Sequence, residues 1–231
     1  MTGEIWPPES FLGLLPGPLR NELLRMGQAR TFQAEDTLIL QGSRESVLYV
    51  LIRGRVNVIA GAENGTEALL AIRRAGDLLG EMSVFGSMPR TATVIARVET
   101  AVLAVAGDDF RKFAHRHTEV MMALAAMASR RLQQANVYRS DAAAYEVEIR
   151  VARALLYQAA QAAFRDGGHW TVDLRQSELA MLIFAKEGTV QKAMKGMKHL
   201  CASRRGKIII FDVRGLAELA GASPPARLAD H

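Results

Sequence analysis

The chain has 231 residues, 49% of them hydrophobic and 23% charged, with a formal net charge of +5. That balance excludes disordered, collagen-like and coiled-coil-only chains, and the length suits one large domain or two modest ones, each able to bury its own core. No apolar run reaches the roughly 18 residues of a spanning helix, and Met1 to Pro8 has neither a basic nor an apolar targeting segment, so the expected location is the cytoplasm.

From Thr37 to Val105 the sequence reads as short β-branched runs (TLIL, VLYVLI, RVNVIA, ALLAI, TATVIA, AVLAV) punctuated by glycines. Even spacing with glycine turns predicts an antiparallel barrel, roll or sandwich. Asn64-Gly65 between two of these runs predicts a two-residue hairpin turn, because positive φ is needed at both central positions. At Gly107 the period changes to 3.6. Asp108 or Asp109 is expected to cap a short helix to about His115, and Thr118 to cap a longer one. Leu124, Ala128, Arg131, Ala135 and Tyr138 form a seam at alternating steps of four and three, which either pairs with a second copy of the chain or lies on the protein's own β unit. A bend is expected around Ser140 to Ala144, then a second helix from about Tyr145 to Arg165.

After the turn at Asp166-Gly167-Gly168 come a strand (His169 to Val172), helices near Gln176 to Phe184 and Glu187 to Leu200, and a basic hairpin through Arg204, Arg205, Gly206 and Lys207. A last helix runs near Val213 to Ala220, and the Pro224-Pro225 end is expected to fray. Helix, short turn, helix and β-wing is the winged helix-turn-helix order. Between residues 184 and 214, eight Lys or Arg face two acids, Glu187 and Asp212. A basic cluster on that fold order suits phosphate contacts; a solvated basic face is the other reading.

The richest stretch is GDLLGEMSVFGSMPRTA, Gly76 to Ala92. Gly80 permits close backbone approach, Glu81 can accept from a ribose hydroxyl, and Arg90 offers a fork of donors to a phosphate, with the Thr91 hydroxyl beside it. An acid and an arginine nine residues apart also suit a salt bridge between neighbouring strands.

These residues carry a resemblance. From about Phe11 to Ala220, TLILQGSRESVLYVLIRGRVNV, GDLLGEMSVFGSMPRTATV, MASRRLQQ, QSELAMLI, TVQKAMKGM and RGKIII stand in an order and spacing that resemble the cyclic-AMP-receptor-like members of the CRP/FNR superfamily of bacterial transcription regulators. The resemblance implies an α+β fold with three parts: a cyclic-nucleotide-binding β-roll (1–117), a dimerisation helix (118–142) and a winged helix-turn-helix (143–231). It implies that Gly80 and Glu81 meet the ribose and Arg90 and Thr91 the cyclic phosphate, that Met82 and Ser83 also line the ligand site, and that Ala135 and Asn136 stand where the base is touched. Asn136 can bond a base edge and Ala135 cannot, so cAMP is the first expectation for the regulatory ligand, with cGMP or another nucleotide behind it. The implied partners are double-stranded DNA, a second copy of the chain as homodimer, and RNA polymerase.

The DNA-facing residues implied are Lys186, Glu187, Gly188, Thr189, Gln191, Lys192 and Lys195 of the second helix, with Arg204, Arg205 and Lys207 of the wing. Here the chain departs from the family pattern. Lys186 replaces a polar cap, Glu187-Gly188 an Arg-Glu pair, and Lys192 a base-reading Arg. Phe184 stands where a Gly is common. A changed or relaxed DNA site is therefore expected, and the alternative is a nucleotide-binding regulator whose tail engages a protein partner.

Other chemistries find little support. Cys201 is the single cysteine, so an internal disulfide or a four-cysteine metal site is excluded, and it reads as a small buried hydrophobe. All five histidines (His115, His117, His169, His199, His231) lie outside the β unit, which disfavours a haem sensor there. No catalytic triad, metalloprotease or P-loop pattern is present, so no enzyme is expected.

Overall fold

The β-branched runs pair as strands in the computed structural model, which describes residues 6–63, 65–86, 88–162, 164–166 and 168–229. The elements fall into two compact units, Met1–Gln133 and Gln134–His231. The first opens with α1 (Phe11–Leu14), α2 (Gly17–Met26) and β1 (Gln28–Phe32), followed by β2 (Thr37–Ile39), β3 (Val47–Arg53), β4 (Arg55–Gly61) and β5 (Glu67–Arg74). Then come β6 (Leu78–Leu79), α3 (Glu81–Gly86), β7 (Thr93–Ala96), β8 (Thr100–Ala106), α4 (Gly107–Arg116) and α5 (Thr118–Ala144), which continues into the second unit.

Two four-stranded antiparallel sheets, in the orders β1-β8-β3-β6 and β2-β7-β4-β5, make the roll. Strand β3 explains how they stack. Its Tyr49 and Leu51 join Leu38, Val56, Val94 and Val102 in one core, whereas Leu48 and Val50 join Phe11, Leu23, Phe110, Phe113, Leu124 and Met127 in another. Alternate side chains point to opposite faces, so a strand covered on both sides reads as a continuous apolar run.

The second unit holds α6 (Val147–Ala162), β9 (Phe164–Asp166), β10 (His169–Val172), α7 (Gln176–Leu182), α8 (Glu187–Gly196), β11 (Cys201–Arg204), β12 (Lys207–Ile210), α9 (Val213–Leu219) and α10 (Ala226–Ala229). Its sheet has the order β11-β12-β10-β9. The whole is the expected α+β fold: a β-rich part, a long helix, then helices with short strands.

Several local expectations need correction. Between β4 and β5 the Ala62 N–H donates to the Thr66 carbonyl at 2.8 Å, and Gly65, at φ +78°, donates to the Ala62 carbonyl. A turn followed by a left-handed glycine suits such a loop; Asn64 itself lies outside the described residues, as does Gly167. Asp108 and Asp109 sit in the first turn of α4, and its cap is Ala106. Helix α5 runs to Ala144 without a break at Ser140, since Asp141 is held by Arg153 of α6 at 2.8 Å. Helix α6 stops at Ala162 and the chain enters β9, while α8 stops at Gly196 rather than Leu200. Beyond Pro225 the chain does not fray at once: α10 forms and its Leu228 is buried.

Candidate ligand site and nucleic-acid interface

In the first unit, the turn from β6 into α3 brings Gly80 and Glu81 beside Arg90. Gly80 adopts φ +81°, and a Cβ there would collide with Nη1 of Arg90. Both facts call for glycine. The loop from 42 to 46 clamps the Arg90 backbone: Gly42 donates to its carbonyl at 2.8 Å and its own N–H donates to Ser43 at 2.9 Å.

The Arg90 side chain is 4% exposed. Its Nη1 donates to the Gly80 carbonyl at 2.6 Å and lies 3.5 Å from Ser83 Oγ, its Nη2 donates to the Val47 carbonyl, and its Nε has no hydrogen-bond partner. Among the described residues no carboxylate forms an ion pair with it. Burial pulls the guanidinium below its ordinary value, against the opposing pull of Glu45, Tyr49 and Glu81.

Glu81 is also buried, and its partner was not foreseen. Arg131 of α5 donates to Glu81 Oε1 at 2.6 Å and, through Nη2, to the Leu78 carbonyl at 2.7 Å. Glu81 and Arg90 are therefore near each other without forming the inter-strand salt bridge that their spacing also suited. Arg131 was read only as a seam position. The signal available was a charged residue inside an apolar helical stripe, which calls for a buried partner.

Of the expected seam, Ala128 and Ala135 are exposed and the other three are engaged within the chain. Leu124 is in the core, Arg131 is bound to Glu81, and Tyr138 is buried in the second unit, where its hydroxyl accepts from Gln158 Nε2 at 3.2 Å. The apolar residues that α5 leaves open in the first unit are Met121, Met122, Ala125, Ala128 and Leu132, one step round the helix. Two apolar stripes occur on one amphipathic helix, and periodicity alone does not say which meets the helix's own sheet.

Of the remaining ligand-site residues, Ser83 is half-buried, Met82 and Thr91 are exposed, and Ala135 and Asn136 are exposed on the part of α5 in the second unit. The Asn136 side-chain carbonyl accepts from Arg139 at 2.7 Å.

In the second unit, α7, a tight turn and α8 form the helix-turn-helix. Glu178 accepts from the Arg175 N–H at 2.8 Å and so caps α7. Phe184 takes φ +53°; its N–H reaches the Met181 carbonyl at 3.4 Å and that of Ala185 the Ala180 carbonyl at 2.9 Å. This is the Schellman ending, with phenylalanine where glycine is usual. Arg150 of α6 braces the turn by donating to the Ile183 carbonyl at 2.9 Å.

Helix α8 begins after Lys186, whose side chain makes no cap bond. Val190, Ala193 and Met194 are buried beneath it, while Lys186, Glu187, Gly188, Thr189, Gln191, Lys192 and Lys195 are exposed. The wing turns through Arg205 (φ +49°) and Gly206 (φ +76°) between β11 and β12, a two-residue turn of the left-handed kind. Arg204 and Arg205 are exposed there and Lys207 is half-buried.

Comparison with known proteins agrees with both units. Residues 29–117 match the model of the cyclic nucleotide-binding domain and residues 149–219 that of the Crp-like helix-turn-helix domain. Over 214 residues the chain is 31% identical to the CRP-like cAMP-activated global transcriptional regulator of Mycobacterium tuberculosis, covering 91% of this chain and 95% of the relative. It is 26% identical over 187 residues to the cAMP-activated global transcriptional regulator CRP of Escherichia coli, covering 79% and 89%. A solved CRP/FNR-family transcriptional regulator of Thermus thermophilus has the same fold, with TM-score 0.71 at 24% identity over 84% of this chain and 99% of that one. The chain belongs to the CRP/FNR family, whose members are DNA-binding transcription regulators and not enzymes.

Proposed function

We propose that this protein is a homodimeric transcription regulator that a cyclic nucleotide, cAMP first, switches by binding in the β-roll. One observation carries the reading: Arg90 is a buried guanidinium with an unpartnered Nε and, among the described residues, no carboxylate paired with it. A buried cation without a counter-ion is costly, and an incoming cyclic phosphate supplies the missing charge. Gly80 keeps room for the guanidinium, Ser83 and Thr91 add hydroxyls, and Glu81, steadied by Arg131, accepts from the ribose. The open Met121-to-Leu132 stripe of α5 supports pairing with a second copy, and the exposed face of α8 with the wing supports contact with DNA. Binding then biases an equilibrium between two arrangements of the long helices and the recognition helices they carry.

Calorimetric titration with cAMP, cGMP, cyclic di-GMP and linear AMP tests this. Saturable binding of a cyclic nucleotide is expected, weakened roughly tenfold to a hundredfold in Arg90→Leu, since a charge-assisted hydrogen bond contributes about 1.5–3 kcal/mol. Unchanged affinity in that variant overturns the site. Electrophoretic shift of genomic fragments, with and without nucleotide, tests the output. The altered opening of α8, with Lys186 uncapping and Gly188 in its first turn, gives the second reading its footing. Absence of any shift in either condition would favour a tail that engages a protein.

A further inference from the structure

Helix α5 does not end where the second unit begins: its residues from Gln134 to Ala144 belong to that unit. They are fastened to α6. Tyr138 packs edge-on against Tyr157, with ring centroids 6.0 Å apart, and its hydroxyl accepts from Gln158. Further along, Asp141, 6% exposed, accepts from Arg153 Nε at 2.8 Å.

The elbow between the two helices, Tyr145 and Glu146, contains no Pro or Gly to set its angle. Arg153 sets it instead. Its guanidinium lies over the Tyr145 ring, 5.0 Å from the centroid, and its Nη1 donates at 3.2 Å to the carbonyl of Ala220, the C-cap of α9. One planar group thus meets the end of α5, the elbow and the end of α9, a reach that a flat fork of donors allows and an ammonium does not. The bond to Asp141 raises the guanidinium above its ordinary value, against the opposing pull of desolvation. One turn earlier on α6, Arg150 donates to the Ile183 carbonyl in the turn before α8. Helix α6 therefore holds α5 by one arginine and the approach to α8 by another.

A buried pair is costly to break one partner at a time, and a joint that does not yield passes a rotation on undiminished. We propose that Arg153 is a positioning residue for the switch: it joins α5 rigidly to the unit that carries α8, so that a change in the setting of α5 reaches the recognition helix instead of being absorbed at the elbow. This role rests on the regulator reading above, to which it adds the side chain through which the signal passes.

Three variants of the full chain test it. Arg153→Met keeps the stem and removes every donor, Arg153→Lys keeps the charge but cannot span the three contacts, and Asp141→Asn keeps the volume. Thermal melting checks that each folds, and Asp141→Asn, the mildest, carries the test should Arg153→Met melt too low. Binding to duplex DNA is followed by fluorescence anisotropy with and without cAMP and cGMP, nucleotide binding by calorimetry, and amide exchange at Tyr145 and Arg150 by NMR. In Arg153→Met the factor by which nucleotide tightens DNA binding should fall about fivefold or more while nucleotide affinity stays within about twofold. The elbow amides should exchange about tenfold faster. Arg153→Lys and Asp141→Asn should fall between this variant and the wild type. A brace with no part in signalling would lower the melting temperature and leave the factor as it is, and that result in a responsive chain overturns the role of Arg153 alone. If the wild-type chain shows no response of DNA binding to nucleotide, the regulator reading fails and takes this role with it.

Discussion

Among the described residues Arg90 donates to two carbonyls, those of Gly80 and Val47, and pairs with no carboxylate, and that arrangement depends on its neighbour having no side chain. At Gly80, positive φ and the close approach of Nη1 coincide, so Gly80→Ala strains the backbone by about 1–2 kcal/mol and pushes the guanidinium from its seat. The expected outcome is a modest fall in melting temperature with a much larger fall in nucleotide affinity, measured by calorimetry; equal affinity would contradict the role given to the close approach. At this scale much was legible in the sequence. A glycine before an acid, and an arginine before a threonine, marked the stretch that the fold gathers into the candidate site. The partner of Glu81 was not legible, because Arg131 lies fifty positions away and only the packing of α5 on β6 and α3 brings the two charges together.

At the scale of elements, α5 shows why periodicity underdetermines contact. Its 27 residues carry apolar side chains on more than one stripe, and of the residues that first read as a seam Leu124, Arg131 and Tyr138 are engaged within the chain while Ala128 and Ala135 are exposed. The open stripe carries Met122, 65% exposed, and Leu132, 60% exposed. A dimer built on it should be broken by Leu132→Asp, which puts a charge on an apolar interface without touching a buried contact. Sedimentation velocity should then report a monomer with unchanged helical content; a persisting dimer would move the interface elsewhere. The turn before α8 is a contrasting case. Phe184 stands where a Gly is common, and the position does take positive φ, because the Schellman hydrogen bonds require a left-handed residue there. Short elements such as β6, β9 and α10 escaped the sequence reading because two to four residues carry no periodic signal.

For the molecule as a whole, the net charge of +5 understates its polarity, since a local excess of six cations falls between residues 184 and 214. If four to six of them meet phosphates, log K for duplex DNA should fall with log salt at a slope of about −4 to −5. Fluorescence anisotropy between low and moderate salt measures it, and a slope near zero would remove the phosphate contacts from the account. The order of elements, β-roll then long helix then winged helix, was legible because each carries its own period and turn chemistry. The two helices and one strand before Thr37 were not, because α1 and β1 are short and α1 and α2 owe their places to burial of Phe11, Leu12 and Leu23 against α4 and α5.

The only thiol in the sequence gives this protein an internal clock. Cys201 is wholly buried where β11 begins, and desolvation lifts its pKa from 9.0 to about 11. The folded form thus favours the neutral thiol: that preference is fully present below pH 9 and is lost as pH rises through about 11. At pH 8 a thiolate-seeking label should meet almost no reactive sulfur in the native protein, so the rate at which it attaches counts the moments when the wing sheet opens. Comparing that rate with and without nucleotide, and with and without DNA, would register how firmly each guest holds the second unit shut.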